Sequence, residues 1–168
     1  ITCNGCGFIN TNRGVLTTGM PVFGGQGSLD SFRVTQGDIL VGEDGLNGSD
    51  SQQIDVLTRA LQVRGPIWAK KLNAIVGSND IDFTHLTLTE ISNDTEFPSI
   101  GIDIATLGGM YAGKIHLISN EAGVGVNNQG EIGSSIDDVV IDSSGRISFG
   151  GKLSAATDIA VNTVEDIN

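Results

Sequence analysis

The spacing between similar short aliphatic segments is the feature of this sequence that most constrains its fold. Segments that begin at Ile115, Val139 and Ile159 follow one another at intervals of about 20–24 residues, and Ile132 and Leu153 are about 21 residues apart. Repeats with a period of about 20–50 residues are typical of solenoids, in which each repeat packs on its neighbours. With two or three short strands in each period and a turn after each strand, the spacing predicts a parallel β-helix.

The local pattern within each period is that of a β-strand followed by a tight turn. Apolar and polar residues alternate along the strand segments, as they do on a half-buried strand. The turns are rich in Asn, Asp and Gly, which tolerate the left-handed backbone of tight turns. The predicted strand segments begin at Phe32, Asp38, Leu86, Ile100, Lys114, Asp138 and Asp158, and turn signals begin at Glu43, Leu46, Asn127, Ser143 and Phe149.

Composition agrees with a fold of strands and turns and argues against two classes of protein. The chain contains 24 glycines in 168 residues, yet 39% of its residues are apolar, which is too many for a disordered chain. A formal net charge of −11, with only nine Lys and Arg, argues against a nucleic-acid partner. The apolar stretches are only a few residues long, whereas a membrane-spanning helix needs roughly 20.

Parts of the pattern allow a second interpretation. A β-sandwich is the main structural alternative, although its hairpins favour turns at intervals of about 8–12 residues. Residues 49–61 are compatible with a short capped helix or with a turn followed by a strand, and we favour the strand. Residues 83–98 are expected to form an irregular excursion, because a polar cluster that begins at Ser92 interrupts the strand rhythm.

Both cysteines lie in the segment Cys3-Asn-Gly-Cys6, which allows three interpretations. A redox C-x-x-C motif needs its first cysteine at a helix N-terminus, and the residues after Cys6 are poor helix formers. A zinc site needs four ligands, and the only histidines, His85 and His116, lie in unrelated strand segments. We therefore expect a local Cys3–Cys6 disulfide across an Asn-Gly turn. It requires an oxidising compartment and adds little stability because the loop is short.

The remaining candidate motifs predict no metal, no cofactor and no catalysis. Gly108–Ile115 resembles a Walker A loop, but Ile115 stands where Ser or Thr must ligate magnesium, and a strand segment follows where a helix is required. Paired carboxylates on a β-helix can cleave polysaccharides or bind calcium, so a carbohydrate-active enzyme is a distant alternative. We expect these acids to be solvated and both histidines to be structural. The acid pairs are Asp80 with Asp82, Asp137 with Asp138, and Glu165 with Asp166.

Four segments together resemble the secretion domain of two-partner-secretion exoproteins. They occur in the order found in that family and span nearly the whole chain, from Ile1 to about Gly150. The family includes filamentous haemagglutinins, haemolysins that need an outer-membrane partner, and large contact-dependent growth-inhibition toxins. The segments are Ile1-Thr-Cys-Asn-Gly-Cys-Gly-Phe-Ile-Asn-Thr, Gly14-Val-Leu-Thr-Thr-Gly, Leu107-Gly-Gly-Met-Tyr-Ala-Gly-Lys-Ile and Asn120-Glu-Ala-Gly-Val-Gly-Val-Asn.

The resemblance implies an all-β fold, a right-handed parallel β-helix with short β excursions outside the helix. It also implies recognition in the periplasm by an outer-membrane β-barrel transporter with periplasmic docking modules, followed by export to the cell surface or the extracellular space. In the family an Asn-Pro-Asn-Gly turn precedes the segment that starts here at Ile1. Residues 1–168 are therefore expected to form a single β-helix domain, the C-terminal portion of a larger secretion domain. An open coil edge would invite edge-to-edge self-association.

The predicted function is a non-enzymatic module that directs the secretion, and nucleates the folding, of a large adhesin or contact-dependent growth-inhibition toxin. A solenoid that adds one coil at a time can fold progressively as it leaves a pore. The segment at Leu107 favours haemagglutinins and growth-inhibition toxins over the alternative, a pore-forming haemolysin. A passive adhesive surface is compatible with the same sequence. A target-cell receptor would be bound by regions outside this chain.

Overall fold

In a computed structural model that describes residues 1–92 and 98–168, the chain forms twenty-two β-strands and, within those residues, no helix. No described segment is a helix that could span a membrane. The strands are β1 (Thr2–Cys3), β2 (Cys6–Gly7), β3 (Arg13–Thr17), β4 (Met20–Phe23), β5 (Leu29–Val34), β6 (Asp38–Val41), β7 (Leu46–Gly48), β8 (Gln53–Thr58), β9 (Ala60–Val63), β10 (Pro66–Ala69), β11 (Lys71–Val76), β12 (Asn79–Asp82), β13 (Leu88–Glu90), β14 (Ile100–Ile104), β15 (Gly109–Ala112), β16 (Lys114–Ser119), β17 (Gly125–Asn128), β18 (Glu131–Ser134), β19 (Val139–Ser143), β20 (Ile147–Phe149), β21 (Lys152–Ser154) and β22 (Ile159–Thr163).

Eighteen of these strands form a parallel β-helix of six coils, each of which contributes one strand to each of three six-stranded sheets. Sheet A contains β1, β6, β9, β14, β17 and β20. Sheet B contains β2, β7, β10, β15, β18 and β21, and sheet C contains β3, β8, β11, β16, β19 and β22. All pairings between coils are parallel, so the β-sandwich alternative is wrong and the predicted β-helix is confirmed.

The register between coils is the one that the sequence period predicts. In sheet C, Ile115 pairs with Val139 and Val139 pairs with Ile159. In sheet B, Ile132 pairs with Leu153. Side chains on a strand alternate between its two faces, so a register shift of one residue would turn the aliphatic residues of a coil outward. The period of about 20–24 residues is therefore the length of one coil.

The interior of the helix is filled by ladders of aliphatic side chains, one rung per coil. Nearly all of them are fully buried, and each contributes roughly 1.5–3 kcal/mol relative to an exposed side chain. Aromatic side chains are not needed there because neighbouring strands bring branched aliphatic residues into direct contact. The longest ladder in sheet B runs through Cys6, Leu46, Ile67, Met110, Ile132 and Leu153.

Stacked corners between sheets A and B explain much of the glycine content. These glycines stand just before successive strands of sheet B. A Cβ on Gly130 would collide with the Gly108 carbonyl oxygen of the preceding coil, and a Cβ on Gly151 would collide with the Gly130 carbonyl oxygen. Gly65 and Gly108 meet the backbone of the preceding coil in the same way. Only glycine allows the backbones of stacked corners to approach so closely.

Two excursions leave the helix and meet in a four-stranded antiparallel sheet, the extra-helical sheet, with strand order β13-β12-β5-β4. The first excursion is the hairpin β4–β5, and the second begins with β12 and β13. β5 pairs with β12, so segments that follow the first and the third coil are joined. Residues 93–97 of the predicted excursion lie outside the described residues, and Leu86 lies in a left-handed turn (φ 56°) rather than in a strand.

The extra-helical sheet covers part of the outer face of sheet C. Leu57 and Ile75 point outward from sheet C and pack with Val34 and Ile81 of the extra-helical sheet, and all four side chains are buried. These residues form a second hydrophobic core, separate from the interior of the helix. Residues 49–61, for which a helix was the alternative, form the end of one turn, strand β8 and the start of β9, so the strand interpretation is confirmed.

Candidate recognition surface

The Cys3–Cys6 segment forms the first rungs of the helix interior within residues 1–168. The Cα atoms of Cys3 and Cys6 lie 5.4 Å apart, and their sulfur atoms are joined. Cys3 begins the ladder that continues through Val41, and Cys6 begins the ladder that continues through Leu46. The two cysteines therefore cover the ends of two aliphatic ladders as well as holding a turn. Formation of this disulfide in the exported protein stays a prediction.

Phe8 covers the same end of the interior above sheet C. Gly14 occupies the first rung of the ladder that continues through Ile54, and the Phe8 ring lies where its side chain would be, with ring carbons 2.8 Å from the position of a Cβ. Phe8 also packs against the main core. An aromatic ring from one segment thus fills the space left by a glycine in another.

The inward side chains of the last coil are more exposed than those of the preceding coils within residues 1–168. Ile159 and Val161 continue the inward ladders of sheet C, but Ile159 is 47% exposed, whereas its ladder partners Val139 and Ile115 are fully buried. The final residues add the first rung of a seventh coil. Ile167 forms a parallel bridge to Ile147 of β20, and Phe149 donates its N–H to the carbonyl of Asn168 at 2.8 Å.

A buried carboxylate ties the outer face of sheet C to the second excursion. Asp55 is fully buried and accepts hydrogen bonds from Arg13 Nε at 2.5 Å and from Asn73 Nδ2 at 2.7 Å. Gln53 Nε2 contacts both carboxylate oxygens. The Arg13 guanidinium also donates to the Phe83 carbonyl and lies 4.3 Å from the centre of the Phe83 ring. Because the charge is paired and hydrogen-bonded, its burial is tolerated.

A second buried polar group joins the corners between sheets C and A. Arg59 Nη2 lies 2.7 Å from Glu121 Oε1, and both side chains are almost fully buried. Beside them, the amides of Asn79 and Asn120 donate to each other at 2.8 and 2.6 Å. Asn120 and Glu121 begin one of the segments that carry the resemblance, so that segment has a structural role in holding the coil corners together.

The candidate acid pairs, and Asp103 as a further acid of sheet A, do not converge on one site. Asp80 pairs with Arg33 in the extra-helical sheet at 3.2 Å, and Asp103 of sheet A accepts a hydrogen bond from Asn127. Lys114, the first residue of β16, contacts both Asp137 and Asp138, which lie just before β19. The Asp82 carboxylate accepts the backbone N–H of His85, which lowers the pKa of that carboxyl. No cluster that could hold a metal occurs among the described residues.

Both histidines pair with single carboxylates on different sheets. His85 lies 3.2 Å from Asp82 beside the extra-helical sheet, and His116 lies 3.1 Å from Asp142 on sheet C. Neither approaches a cysteine through any described contact. Gly108–Ile115 forms the corner before β15, β15 itself and the start of β16 rather than a loop that opens a helix.

The extra-helical sheet presents an exposed apolar edge, the outer-strand patch, formed by Met20, Val22 and Phe23 of β4. Met20 is 64% exposed and Phe23 is 63% exposed. β4 is an edge strand of the four-stranded sheet, and Pro21 removes one backbone donor from it, as is common in strands at sheet edges. Clustered exposed apolar side chains mark interaction sites more often than isolated ones do.

Comparison with known proteins agrees with this architecture. The family model described as the TPS secretion domain matches residues 1–149. The solved filamentous hemagglutinin secretion domain superposes with a TM-score of 0.83, covering 96% of this chain and 59% of that one, at 26% identity. The chain therefore belongs to the family of two-partner-secretion domains, which direct exoproteins to the cell surface or the extracellular space.

Two curated relatives indicate the kind of exoprotein to which such a domain belongs. Toxin CdiA of Yersinia pestis is 43% identical over 168 residues, which is 99% of this chain and 5% of that protein. tRNA nuclease CdiA-2 of Burkholderia pseudomallei (strain 1026b) is 43% identical over 93% of this chain and 5% of that protein. The chain thus spans about 5% of the length of these relatives.

The sequence patterns did not reveal the buried pairs or the outer-strand patch. Asp55 interrupts the apolar run of β8, and an acid inside such a run is a signal for a buried partner. Arg13 and Glu121 carry no comparable signal, because their partners lie 42 and 62 residues away along the chain. Only the stacking of coils brings each pair together.

Proposed function

We propose that residues 1–168 form one β-helical unit within a larger secretion domain that a partner outer-membrane β-barrel transporter recognises through its periplasmic docking modules. The unit acts by protein–protein recognition and without catalysis. The family match over residues 1–149 supports this function. The separation of Asp80 and Asp103 on different sheets gives no support to the carbohydrate-active enzyme.

The same unit, in this proposal, nucleates the folding of the exoprotein. The observation that carries this step is the in-register stacking of six coils, whose buried aliphatic ladders a further coil can continue. An uncovered coil presents unpaired backbone groups and apolar side chains, which a following coil can use. A coil that stacks on β20, β21 and β22 would find ordered strands with which to pair.

The outer-strand patch is the surface that we assign to the transporter. Met20 and Phe23 are exposed on a sheet that is separate from the helix, so contact with the patch leaves the open coil available for growth. The patch residues come from a short hairpin between coils 1 and 2 and do not belong to the interior core. The small size of the patch suits a transient partner, because stable interfaces bury larger areas.

Two sets of variants in the full exoprotein test the two steps separately. Met20→Ser with Phe23→Ser should weaken capture by the transporter's periplasmic modules in a pull-down and reduce export, while Ile136→Ser, an equally apolar and 75% exposed control, should do neither. Normal capture of the double variant would contradict the assigned docking surface. Unchanged export after deletion of the whole unit would contradict the function itself.

The second set addresses folding rather than recognition. Ile159→Asp with Val161→Asp places charges on the open coil and should leave capture intact, but the exported chain should stay sensitive to protease beyond the unit. Ile9→Asp, at a position 86% exposed near the covered end, is the control and should leave protease resistance unchanged. Protease resistance of the Ile159 and Val161 variant equal to that of the unmodified exoprotein would contradict nucleation by the open coil.

The comparisons favour a contact-dependent toxin over a haemolysin as the exoprotein. Two relatives at 43% identity are named Toxin CdiA and tRNA nuclease CdiA-2. Nuclease or toxin activity, and any binding to a target-cell receptor, would belong to the remaining 95% or so of such a protein. A growth-competition assay with the whole exoprotein and a variant lacking its C-terminal region tests this assignment, and inhibition by the truncated variant would contradict it.

A further inference from the structure

An aromatic pair on the outer face of sheet B lies outside both hydrophobic cores. Trp68 of β10 and Tyr111 of β15 occupy the same column of the sheet, and their rings stack with centroids 4.5 Å apart and planes 21° apart. Trp68 is 48% exposed. The outer face of sheet C carries the extra-helical sheet, whereas no described strand covers this pair.

The next position in this column of the sheet carries no side chain. The next residue after Tyr111 is Gly133 of β18, followed by Ser154 of β21. A Cβ at Gly133 would lie 3.7 Å from Tyr111 Cδ1, so the glycine leaves space beside the Tyr111 ring but is not required by the backbone. The face of Tyr111 that Trp68 does not cover therefore borders a groove of about 370 Å³.

Polar groups surround this groove in fixed positions. Glu131 Oε2 lies 3.3 Å from the Tyr111 hydroxyl, and Lys152 Nζ donates to Glu131 Oε1 at 2.7 Å. Ser135 donates its hydroxyl to the Ala112 carbonyl, which leaves the hydroxyl oxygen free to accept. Ser154 lies on the far side of Gly133. The groove thus combines an aromatic face with hydroxyl and carboxylate groups at its rim, and its volume falls within the range of about 300–1,000 Å³ typical of ligand sites.

We propose that this groove binds a neutral pyranose ring of a polysaccharide, stacked on Tyr111 over Gly133. In a pyranose with equatorial hydroxyls the axial C–H bonds form a flat apolar face, which the negative face of an aromatic ring attracts. The hydroxyls at the edge of the ring then meet the oxygens of Glu131, Ser135 and Ser154. An apolar aromatic side chain from a partner protein would take water from the remaining acceptor positions of Glu131 and Ser135 without replacing its hydrogen bonds, which costs free energy. The carboxylate of Glu131 and the net charge of −11 disfavour an anionic sugar.

The single tryptophan makes the test direct. Because Trp68 is the only tryptophan in the chain, its fluorescence reports on this groove alone. Titration with cellohexaose should change that fluorescence in a saturable way, with a dissociation constant of about 1 mM or below, and hexagalacturonic acid at the same concentrations should give no saturable change. Saturation-transfer NMR on cellohexaose provides a second measurement that does not depend on Trp68.

Variants that fill or dismantle the groove complete the test. Gly133→Leu should place a side chain against the Tyr111 ring and weaken binding at least about tenfold, and Tyr111→Ala should do the same. Phe23→Ala removes an exposed aromatic ring from the extra-helical sheet and should leave binding unchanged. Circular dichroism verifies folding, and Gly133→Ala, whose Cβ the structure accommodates, is used if Gly133→Leu fails to fold. Absence of saturable binding at about 20 mM cellohexaose, or wild-type binding by a folded Gly133→Leu variant, would overturn the proposal.

Discussion

The two ends of the β-helix differ although the same ladders run through both. At the N-terminal end, Cys3 is 3% exposed and, together with Cys6 and the ring of Phe8, covers the first rungs of the core. At the C-terminal end, Ile159 is 47% exposed in a ladder whose earlier members are fully buried. The difference teaches that, within residues 1–168, side chains of the first coil cover their own rungs of the core, whereas the side chains of the last coil do not.

The largest expected difference in stability is between alanine substitutions of two leucines in the same ladder. Leu46 and Leu153 belong to the same sheet-B ladder, near the covered and the open end, and Leu46 is 1% exposed. Leu46→Ala should lower the free energy of unfolding by about 2–5 kcal/mol, because it leaves a cavity in a closed core. Leu153→Ala should cost only about 1 kcal/mol, because its site is already partly hydrated. Urea unfolding of both variants measures the difference.

The chemistry of the two substitutions is identical, so position alone accounts for any difference in cost. Equal losses of stability would show that the two ends are covered to the same extent in solution. In that case the exposure of Ile159 would not mark a less stable last coil.

Phe8 should contribute the next largest effect at the covered end. Its ring is half-buried over Gly14, so Phe8→Ala should cost about 1–2 kcal/mol, less than the loss for a fully buried ring. Removing the ring also opens the space next to the cysteines, and reduction of the disulfide by dithiothreitol should become faster. Phe149→Ala, at the open end, is the matched control. A reduction rate unchanged by Phe8→Ala would show that the ring does not shield this end.

The sequence predicted the middle of the helix better than its ends and its exterior. The interval between Ile115, Val139 and Ile159 predicted the actual ladder, because stacked coils of similar length impose that interval on the aliphatic residues. The placement of the Phe8 ring over Gly14 was not predictable, because it depends on how a loop folds back over the first rungs of the core. The pairing of β5 with β12 was hidden for a related reason: 45 or more residues separate the partners, and no local pattern encodes which excursions meet.

The cysteines themselves should have a smaller effect. The loop that Cys3 and Cys6 close is short, so Cys3→Ser with Cys6→Ser should lower stability by about 1 kcal/mol, near the low end of the range for disulfides, without abolishing the fold. Under non-reducing conditions a thiol-blocking reagent should modify neither cysteine of the folded protein. Rapid modification of both cysteines would refute the disulfide. A decrease of several kcal/mol in the free energy of unfolding would show that the disulfide does more than hold a local turn.

The smallest expected effect is a selective loosening of the open end by acid. A hydrogen bond from Lys152 lowers the pKa of Glu131, and a hydrogen bond from the Thr157 hydroxyl lowers the pKa of Asp138. Each pair joins coil 5 to coil 6. A carboxyl whose pKa is lower in the folded state stabilises that state above its ordinary pKa of about 4, and this contribution is lost as the pH falls through the folded-state pKa.

Below pH of about 4, hydrogen-exchange protection should therefore decrease first in β21 and β22, while β6 and β7 near the covered end keep theirs. Comparison of protection factors at pH 5 and pH 3 removes the effect of pH on intrinsic exchange. Glu131→Gln with Asp138→Asn should make the protection of β21 and β22 nearly independent of pH, because neither side chain then titrates. A uniform loss of protection along the helix would mean that acid acts on the fold as a whole, and that the exposed last coil is no less stable than the coil that the cysteines and Phe8 cover.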